Sequence, residues 1–322
     1  MSRLLLILRH GKSDWSTGKV DFERPLKERG RVAAQRIGAW LRSQGQIPDW
    51  VVSSDAERAK GTAEATVQTL GLKPKDIHWD PRLYAATLHE LLDALRDCPQ
   101  QCRRVLLVGH NPGLEDLVSH LAGRQIEIPD DGKLLPTATL ARLSMPDDWD
   151  KLPPGCARLE SITRPADLPE TFGDPERPDT LGRQRPDYYY IQSAVIPYRL
   201  RDGAPEILLV SSRKKTRWVV PKGIREPELS PAESAAKEAW EEAGARGDVD
   251  TTPLGQYQYE KWGGVCTVDV FPMRVNELVE EEHWEESHRD RKWVSPDTAA
   301  KLLKEPALRA MVRGLQQSLG GA

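Results

Sequence analysis

Two histidines and two arginines in the first half of the chain lie at the ends of apolar segments. "LLLILRHG", Leu4–Gly11, runs from apolar residues directly into Arg9 and His10, which is typical of a strand buried on both faces. Arg58 follows the apolar "VVSS", and His110 ends "RRVLLVGH". Because the carboxyl ends of parallel strands meet at one edge of an α/β sheet, we expect these four side chains to converge.

This set of side chains suits the transfer of a phosphoryl group. Guanidinium groups match phosphate oxygens with forked hydrogen bonds. A neutral imidazole can attack phosphorus and become a phosphohistidine, while a second imidazole stabilises the charge on the oxygens. The polar segment "DFERPLKERG", residues 21–30, is expected to belong to the same edge. The alternative is that each histidine is an ordinary hydrogen-bonded residue at a strand end.

Three segments in this order, "RHG", "SSDAERA" and "VGHNPG", resemble the histidine phosphatase superfamily, and within it the small phosphohistidine phosphatases of the SixA type. The resemblance covers roughly residues 1–160. It implies that His10 is the nucleophile, that Arg9, Arg58 and His110 form the phosphate pocket, and that this part of the chain needs no metal.

One residue type is missing next to this pocket. Larger members of the superfamily supply a carboxylic acid to the leaving alcohol, but Tyr84 is followed here by Ala85 and Ala86, and Glu90 is expected on a solvated helix face. An imidazole leaves more readily than an alkoxide and depends less on an acid. The sequence therefore favours a phosphoramidate such as phosphohistidine over a sugar phosphate.

A second cluster of chemistry-bearing residues lies on a predicted helix in the second half. Ser230 and Glu233 form a capping box, with Pro231 at the first helical position and Gly244 as the C-terminal cap. Three carboxylates share one face of this helix, Glu238, Glu241 and Glu242. Crowded carboxylates favour a hard divalent cation such as Mg²⁺. The alternative is a solvated acidic face paired with Lys237 and Arg246.

The segment from Gly223 to Gly244 resembles the Nudix box, a glycine and glutamate pattern of Mg²⁺-dependent hydrolases. Gly223, the three glutamates and Gly244 fit the pattern, whereas Leu229 replaces a glutamate and Lys237 replaces an arginine. Glu228 is a partial substitute for the lost carboxylate. The resemblance implies that Mg²⁺ or Mn²⁺, held by the three glutamates, assists hydrolysis of a diphosphate linkage.

Five cations precede this helix in "LLVSSRKKTRWVVPKG", which resembles the diphosphoinositol polyphosphate and diadenosine polyphosphate hydrolases. We predict that four of them bind the phosphates of the substrate: Arg213, Lys215, Arg217 and Lys222. Such a charge cluster suits a substrate with several phosphates. The fifth cation is Lys214. The alternative is a basic loop that only aids solubility.

The length of 322 residues and a change in composition predict two α/β domains. Residues 1–163 are expected to form a mainly parallel sheet covered by helices on both faces, with edge strands from Thr137 and from Cys156. Residues 164–187, rich in proline and charge, are expected to be a linker. Residues 188–322 are expected to form an α/β/α Nudix sandwich with a mixed sheet.

Composition excludes several other classes of protein. The formal net charge of −3 argues against a general nucleic-acid binder. The longest early apolar run is too short to cross a bilayer and lacks the features of a signal peptide, so we expect a cytoplasmic protein without a membrane partner. The four cysteines show no metal-ligand spacing, and we expect free thiols.

The sequence therefore predicts a bifunctional phosphohydrolase. The first domain removes a phosphoryl group, and the second uses Mg²⁺ to hydrolyse a diphosphate linkage in a nucleoside or inositol polyphosphate. The partners are a phosphorylated small molecule and, for the first domain, also a phosphohistidine protein. The alternative is a phosphatase regulated by a Nudix domain that only senses a polyphosphate.

Overall fold

The structure of the protein is a computed structural model that describes residues 3–123, 126, 131–174, 176–226 and 228–320. The chain divides into two units, residues 1–172 and 173–322. Each unit has its own sheet and its own core. The described residues include no helix that is both long and apolar enough to cross a membrane.

The N-terminal unit is built on a six-stranded sheet in the order β3-β2-β4-β1-β5-β6. The pairs β2–β3, β2–β4 and β1–β4 are parallel, and β1–β5 and β5–β6 are antiparallel. The strands are β1 (Arg3–Arg9), β2 (Trp50–Ser53), β3 (Ile77–Trp79), β4 (Arg104–Gly109), β5 (Leu140–Met145) and β6 (Arg158–Thr163). The prediction of a mainly parallel sheet is confirmed, but β5 lies between β1 and β6 and is not an edge strand.

Helices cover both faces of this sheet because its strands are apolar on both sides. On one face Leu5 and Ile7 of β1 share a core with the third and fourth helices. On the other face Leu6 and Leu8 pack with the first and second. Successive side chains of a strand point to opposite faces, so one uninterrupted apolar run fills both cores. The helices are α1 (Glu28–Ser43), α2 (Glu57–Leu70), α3 (Leu88–Arg96) and α4 (Gly113–Ala122).

The C-terminal unit has an eight-stranded mixed sheet. Its main path is β11-β13-β7-β8-β14, with β10 paired to β7, β12 to β13 and β9 to β8. Only β13 and β7 run parallel among these described pairs. The strands are β7 (Ile191–Arg201), β8 (Ala204–Ser211), β9 (Trp218–Val219), β10 (Lys222–Ile224), β11 (Ala245–Val249), β12 (Gly255–Lys261), β13 (Gly264–Leu278) and β14 (Arg291–Val294).

Helices lie on both faces of the second sheet as well, which confirms the predicted α/β/α arrangement. One face packs on the small residues Ala235 and Ala239 of α5 (Pro231–Ala243). The other face packs on α6 (Pro296–Leu302) and α7 (Pro306–Gly320). Just before α5, the segment from Trp218 to Ile224 forms the two short strands β9 and β10.

A few residues of the predicted linker are buried within the unit to which they belong. Leu168 is buried beside α1, where the guanidinium of Arg36 donates to its carbonyl and to that of Pro169. Thr180 is also buried, and the main-chain N–H of Gln184 donates to the carbonyl of Trp262. Pro175 lies outside the described residues. The domain boundaries at residues 163 and 188 stay a prediction.

Candidate active sites

The register of neighbouring strands places the two predicted histidines side by side. Arg9 of β1 pairs with Gly109 of β4, so the next residue of each strand is a histidine at the same edge. The main-chain N–H of His10 donates to the carbonyl of Gly109, and the two imidazole centroids lie 4.9 Å apart. His110 is the second imidazole of this pair, and both side chains are buried.

Hydrogen bonding fixes the tautomer of His10. Its Nδ1 lies 2.8 Å from the carbonyl oxygen of Gly11, which can only accept, so Nδ1 carries the proton and Nε2 keeps its lone pair. Burial is the main cause that lowers the pKa of His10 to about 4, with the charges of Arg58 and Arg9 acting in the same direction. A neutral imidazole with an unprotonated Nε2 is a nucleophile at neutral pH.

Close packing of the loop after β1 requires a glycine at position 11. A Cβ at this position would lie 2.7 Å from the carbonyl oxygen of Gly30, which is closer than real Cβ atoms approach. The N–H of Gly11 donates to the hydroxyl of Thr62 on α2 at 2.9 Å. The loop after β1 therefore passes directly against the N-terminus of α1, which is possible only for glycine.

The arginines predicted for this pocket lie next to the histidines. Nε of Arg58, on the first turn of α2, donates to Nε2 of His10 at 3.4 Å. Arg9 donates to the carbonyl of Leu135 at 2.7 Å, and its charge acts on both histidines. The structure thus brings together all four residues predicted for the phosphate pocket.

Three further residues of this pocket were not singled out from the sequence. Asp21 accepts from Arg58 and from Arg24, which is almost fully buried, each at 2.8 Å. The Tyr84 hydroxyl donates to Asp21 at 2.9 Å, and its ring meets that of His110 edge-on. The segment from residue 21 was expected at this edge, but nothing in its spacing indicated which of its side chains enter the pocket.

In the C-terminal unit, α5 has the ends that its sequence predicts. The hydroxyl of Ser230 accepts from the N–H of Glu233, whose carboxylate accepts from the N–H of Ser230. Pro231 occupies the first turn, and Gly244 adopts the left-handed conformation that closes the helix. The prediction of this helix and both of its caps is confirmed.

Two of the three predicted metal ligands, Glu238 and Glu242, lie beside the segment Lys222–Gly223. The carboxylate of Glu238 lies directly above Gly223, where a Cβ would be 1.9 Å from Oε1 of Glu238. Burial, followed by the charges of Glu242 and Glu241, raises the pKa of Glu238 to about 8. Burial also raises the pKa of Glu242, although the N–H of Lys222 and the charge of Arg289 oppose the effect. Two partly buried carboxylates that repel one another form a donor set suited to Mg²⁺.

The third carboxylate is engaged elsewhere. Glu241 pairs with Lys237 at 3.2 Å, and Lys237 also binds Glu226 at 3.0 Å. The charge of Glu226 also acts on Glu238, and the substitution of Glu228 for the lost carboxylate stays a prediction. Across the ranges the structure describes, no three acidic, histidine or cysteine side chains converge into a preformed metal site. A metal would find two protein carboxylates, which suffices for Mg²⁺ because it keeps several waters.

The four cations predicted to bind substrate fall into two groups. Arg213 pairs with Glu286 at 2.7 Å, and Lys215 pairs with Asp290 at 2.9 Å. Lys222 donates instead to the neutral Gln192 and Tyr259. Burial, followed by the charge of Lys261, lowers the pKa of Lys222 to about 8.

Arg217, the last of the four, forms no ion pair with the described residues, and its charge acts on Lys261. Lys261 itself is exposed at the end of β12 and lies over the ring of Trp262 at 3.8 Å. Sequence reasoning missed Lys261 because it lies outside the basic segment. Of the four predicted cations and Lys261, those without an ion pair to the described residues are Arg217, Lys222 and Lys261.

Arg289 was also missed. It is nearly buried and joins two carboxylates, Glu242 and Glu286, each at 2.5 Å. The other oxygen of Glu242 accepts from the N–H of Lys222 at 3.0 Å. Both oxygens of Glu242 therefore already accept hydrogen bonds, and a metal would use their remaining lone pairs.

Comparisons with known proteins give matches to each half of the chain. The family model described as histidine phosphatase superfamily (branch 1) matches residues 5–88, and that of the NUDIX domain matches residues 191–315. An uncharacterized protein of Mycobacterium tuberculosis is 30% identical over 156 residues, which are 47% of this chain and 96% of that protein.

Two further similarities are to proteins whose names state an activity. The diphosphoinositol polyphosphate phosphohydrolase 3-alpha of Mus musculus is 32% identical over 131 residues, 40% of this chain and 77% of that protein. Among solved structures, the protein histidine phosphatase SixA complexed with tungstate is similar at 22% identity and a TM-score of 0.44. That similarity covers 51% of this chain and 98% of the SixA chain.

Proposed function

The N-terminal part of this chain belongs to the histidine phosphatase superfamily and its C-terminal part to the Nudix family, both families of hydrolases, and from this we propose that the protein is a bifunctional phosphohydrolase. The N-terminal unit removes a phosphoryl group through a phosphohistidine on His10. The C-terminal unit hydrolyses a diphosphate linkage with the help of Mg²⁺.

The observation that carries the first activity is the geometry around Nε2 of His10. The Gly11 carbonyl holds the proton on Nδ1, and burial keeps the ring neutral, so Nε2 can form the bond to phosphorus. Arg58 and His110 lie beside this atom and can donate to the oxygens of the phosphoryl group. Water then hydrolyses the phosphohistidine, which releases inorganic phosphate and returns His10 to its starting state.

The proposed substrate of this unit is a phosphoramidate such as phosphohistidine. Among the described residues, Asp21 is the carboxylate that pairs with the pocket arginines. Partial burial raises its pKa, but the Tyr84 hydroxyl and the charges of Arg58 and Arg24 outweigh burial and lower it. An ionised Asp21 has no proton to give to an alkoxide, which supports a leaving group that departs without a strong acid.

For the second activity, the support is the partly buried pair Glu238 and Glu242 together with the cations Lys222 and Lys261, whose charges interact with that of Glu242, and Arg217, whose charge acts on Lys261. A divalent cation on the two carboxylates would polarise a phosphate and lower the pKa of a bound water. The cations would hold the remaining phosphates of the chain. This arrangement supports a substrate with several phosphates, and the relative from Mus musculus suggests an inositol pyrophosphate. A dinucleoside polyphosphate is the second candidate.

The experiment that tests the proposal uses the full chain and two single variants. His10→Ala should abolish hydrolysis of a phosphohistidine peptide and leave the Mg²⁺-dependent hydrolysis of polyphosphates intact. Glu238→Gln should have the opposite effect. Loss of both activities in either variant, or of neither, would contradict two independent sites.

A regulatory role for the C-terminal unit is the alternative, and the contacts of Glu241 and Glu242 favour it. Glu241 is bound to Lys237, and both oxygens of Glu242 already accept hydrogen bonds. A polyphosphate could then bind to the cations without being hydrolysed. In that case diadenosine tetraphosphate would change the phosphatase rate of the full chain while remaining intact in solution. A cytoplasmic location stays a prediction.

A further inference from the structure

Asp21, in the loop between β1 and α1, joins three side chains at the edge of the His10 pocket. Its Oδ2 accepts from Nη2 of Arg58 at 2.8 Å and from the Tyr84 hydroxyl at 2.9 Å. Its Oδ1 accepts from Nη2 of Arg24 at 2.8 Å. One carboxylate therefore connects residues from three separate segments of the chain.

The contact with Arg58 involves two atoms of Asp21. Besides the bond from Nη2 to the carboxylate, Nη1 of Arg58 donates to the main-chain oxygen of Asp21 at 2.5 Å. Both terminal nitrogens of the guanidinium are thus bound by one residue. The Nε–H is left to face Nε2 of His10 at 3.4 Å. The side chain of Arg58 cannot turn another edge toward His10 without breaking both bonds.

The charge of Asp21 stabilises two arginine side chains that are buried. The side chains of Arg58 and Arg24 are 6% and 7% exposed, whereas that of Asp21 is 48% exposed. Exposed ion pairs contribute little, but a buried guanidinium that loses its carboxylate is strongly destabilised where it stands. Within the part of the chain that the structure describes, neither arginine has another carboxylate partner. Without Asp21, both guanidinium groups would therefore be driven to new positions.

We propose that Asp21 is a positioning residue for phosphoryl transfer, which holds Arg58 with Nε directed at the phosphoryl group that His10 attacks. The inference rests on the proposed function of the N-terminal unit. Asp21 acts through Arg58 and does not touch the phosphoryl group. Its bond to Tyr84 fixes the ring that lies against His110, so the same carboxylate sets two sides of the pocket.

The test compares full-length Asp21→Ala with the unchanged protein. Two quantities are measured, the turnover of p-nitrophenyl phosphate and the binding of orthovanadate. A displaced Arg58 should lower kcat about a hundredfold and weaken orthovanadate binding at least about tenfold. Added formate should restore part of the rate, because a small carboxylate can occupy the vacated position. A merely structural role would not give this rescue. Asp14→Asn is the matched control, since Asp14 lies in the same loop but binds Ser16 and Lys27.

The outcomes separate this inference from the function on which it rests. If His10→Ala turns over substrate as fast as the unchanged protein, the proposed function and the role of Asp21 are both wrong. If turnover depends on His10 but Asp21→Ala keeps its rate and its orthovanadate affinity, only the role of Asp21 is wrong. Should Asp21→Ala not fold, Asp21→Asn keeps the shape of the side chain and must still lose at least about tenfold in kcat. A full rate in that variant overturns the inference.

Discussion

The Ser54 hydroxyl is the hydrogen-bond partner of Nε2 of His110, at 2.9 Å. Its oxygen also accepts from the N–H of Ala56 at 3.3 Å. We predict that this hydroxyl donates to Nε2, which places the His110 proton on Nδ1. Nδ1 is buried and has no partner among the described residues. In that tautomer a neutral His110 keeps an N–H for a phosphoryl oxygen.

Replacing Ser54 with alanine should reduce the activity of the N-terminal unit through His110. Without the hydroxyl, the ring can place its proton on Nε2 and present a lone pair to the phosphoryl oxygens. We expect kcat/KM to fall about tenfold, which corresponds to ~1.4 kcal/mol of barrier. The nitrogen chemical shifts of His110 should report the change of tautomer. Ser53→Ala is the control, because the Ser53 hydroxyl donates to the Ser54 carbonyl and not to His110. Equal losses in both variants would refute the role of Ser54.

The pH dependence of the N-terminal activity should reflect the lowered pKa of His10. Burial and the neighbouring arginines lower that pKa from 6.5 to about 4, so the nucleophile stays neutral well below the usual titration range of histidine. We expect kcat/KM, after correction for ionisation of the substrate, to stay level down to about pH 5 and to fall only as His10 is protonated near pH 4. A decline that is centred near pH 6.5 would show an unperturbed histidine.

Gly223→Ala should inactivate the C-terminal unit without unfolding it. The new methyl group would fall 1.9 Å from Oε1 of Glu238, so the carboxylate must leave its present position. The end of a glutamate side chain can shift, which leaves β10 and α5 in place. We expect at least about a hundredfold loss of Mg²⁺-dependent hydrolysis, or ~3 kcal/mol, with a melting temperature close to that of the unchanged protein. Full activity in this variant would exclude Glu238 from the site.

Binding of Mn²⁺ to the full chain should strengthen as the pH rises toward 8. Burial and the charge of Glu242 hold a proton on Glu238 up to about pH 8, and a metal must displace that proton. We expect the apparent Kd, measured by calorimetry, to fall by up to about tenfold per pH unit between about pH 6 and 8. Glu238→Gln should remove this dependence, whereas Glu241→Gln should keep it, because Glu241 pairs with Lys237. A Kd that does not change with pH would contradict the role of Glu238.

The fragment 1–172 should be more stable than the fragment 1–163. Leu168 is buried against α1, and Arg36 donates to the carbonyls of Leu168 and Pro169, contacts that the shorter fragment lacks. Burying one leucine contributes about 2 kcal/mol. We therefore expect a melting temperature about 5 °C lower for 1–163 in calorimetry. Equal melting temperatures would show that residues 164–172 do not stabilise the unit and would support the original linker boundary.

The elements could be predicted from the sequence where their signals are local. The run from Leu4 to Leu8 predicts a strand buried on both faces, and the caps at Ser230 and Gly244 predict both ends of α5. The position of β5 inside the sheet could not be predicted in this way. It depends on pairing with β1, which is distant in sequence, and its own pattern of alternating burial resembles that of an edge strand.

In the two candidate sites, too, some residues could be predicted from local sequence signals and others could not. His10 and His110 could be found because each ends an apolar strand, and α/β sheets gather such ends at one edge. Asp21, the partner of Arg58, and Ser54, the partner of His110, could not be found in this way, because their contacts depend on loop geometry. Likewise, three glutamates on one helix face predict a cluster, but the pairing of Glu241 with Lys237 depends on side-chain positions that spacing alone does not determine.

The neutral state of both histidines has a consequence for product release. Arg9, Arg24 and Arg58 outnumber the carboxylates of Asp21 and Glu115, whose charges act on them, so the pocket keeps an excess of positive charge at neutral pH. Inorganic phosphate keeps the three oxygens of the transferred group, gains a fourth from water and is also an anion. The product should therefore compete with the substrate, and turnover should depend on how much free phosphate surrounds the protein.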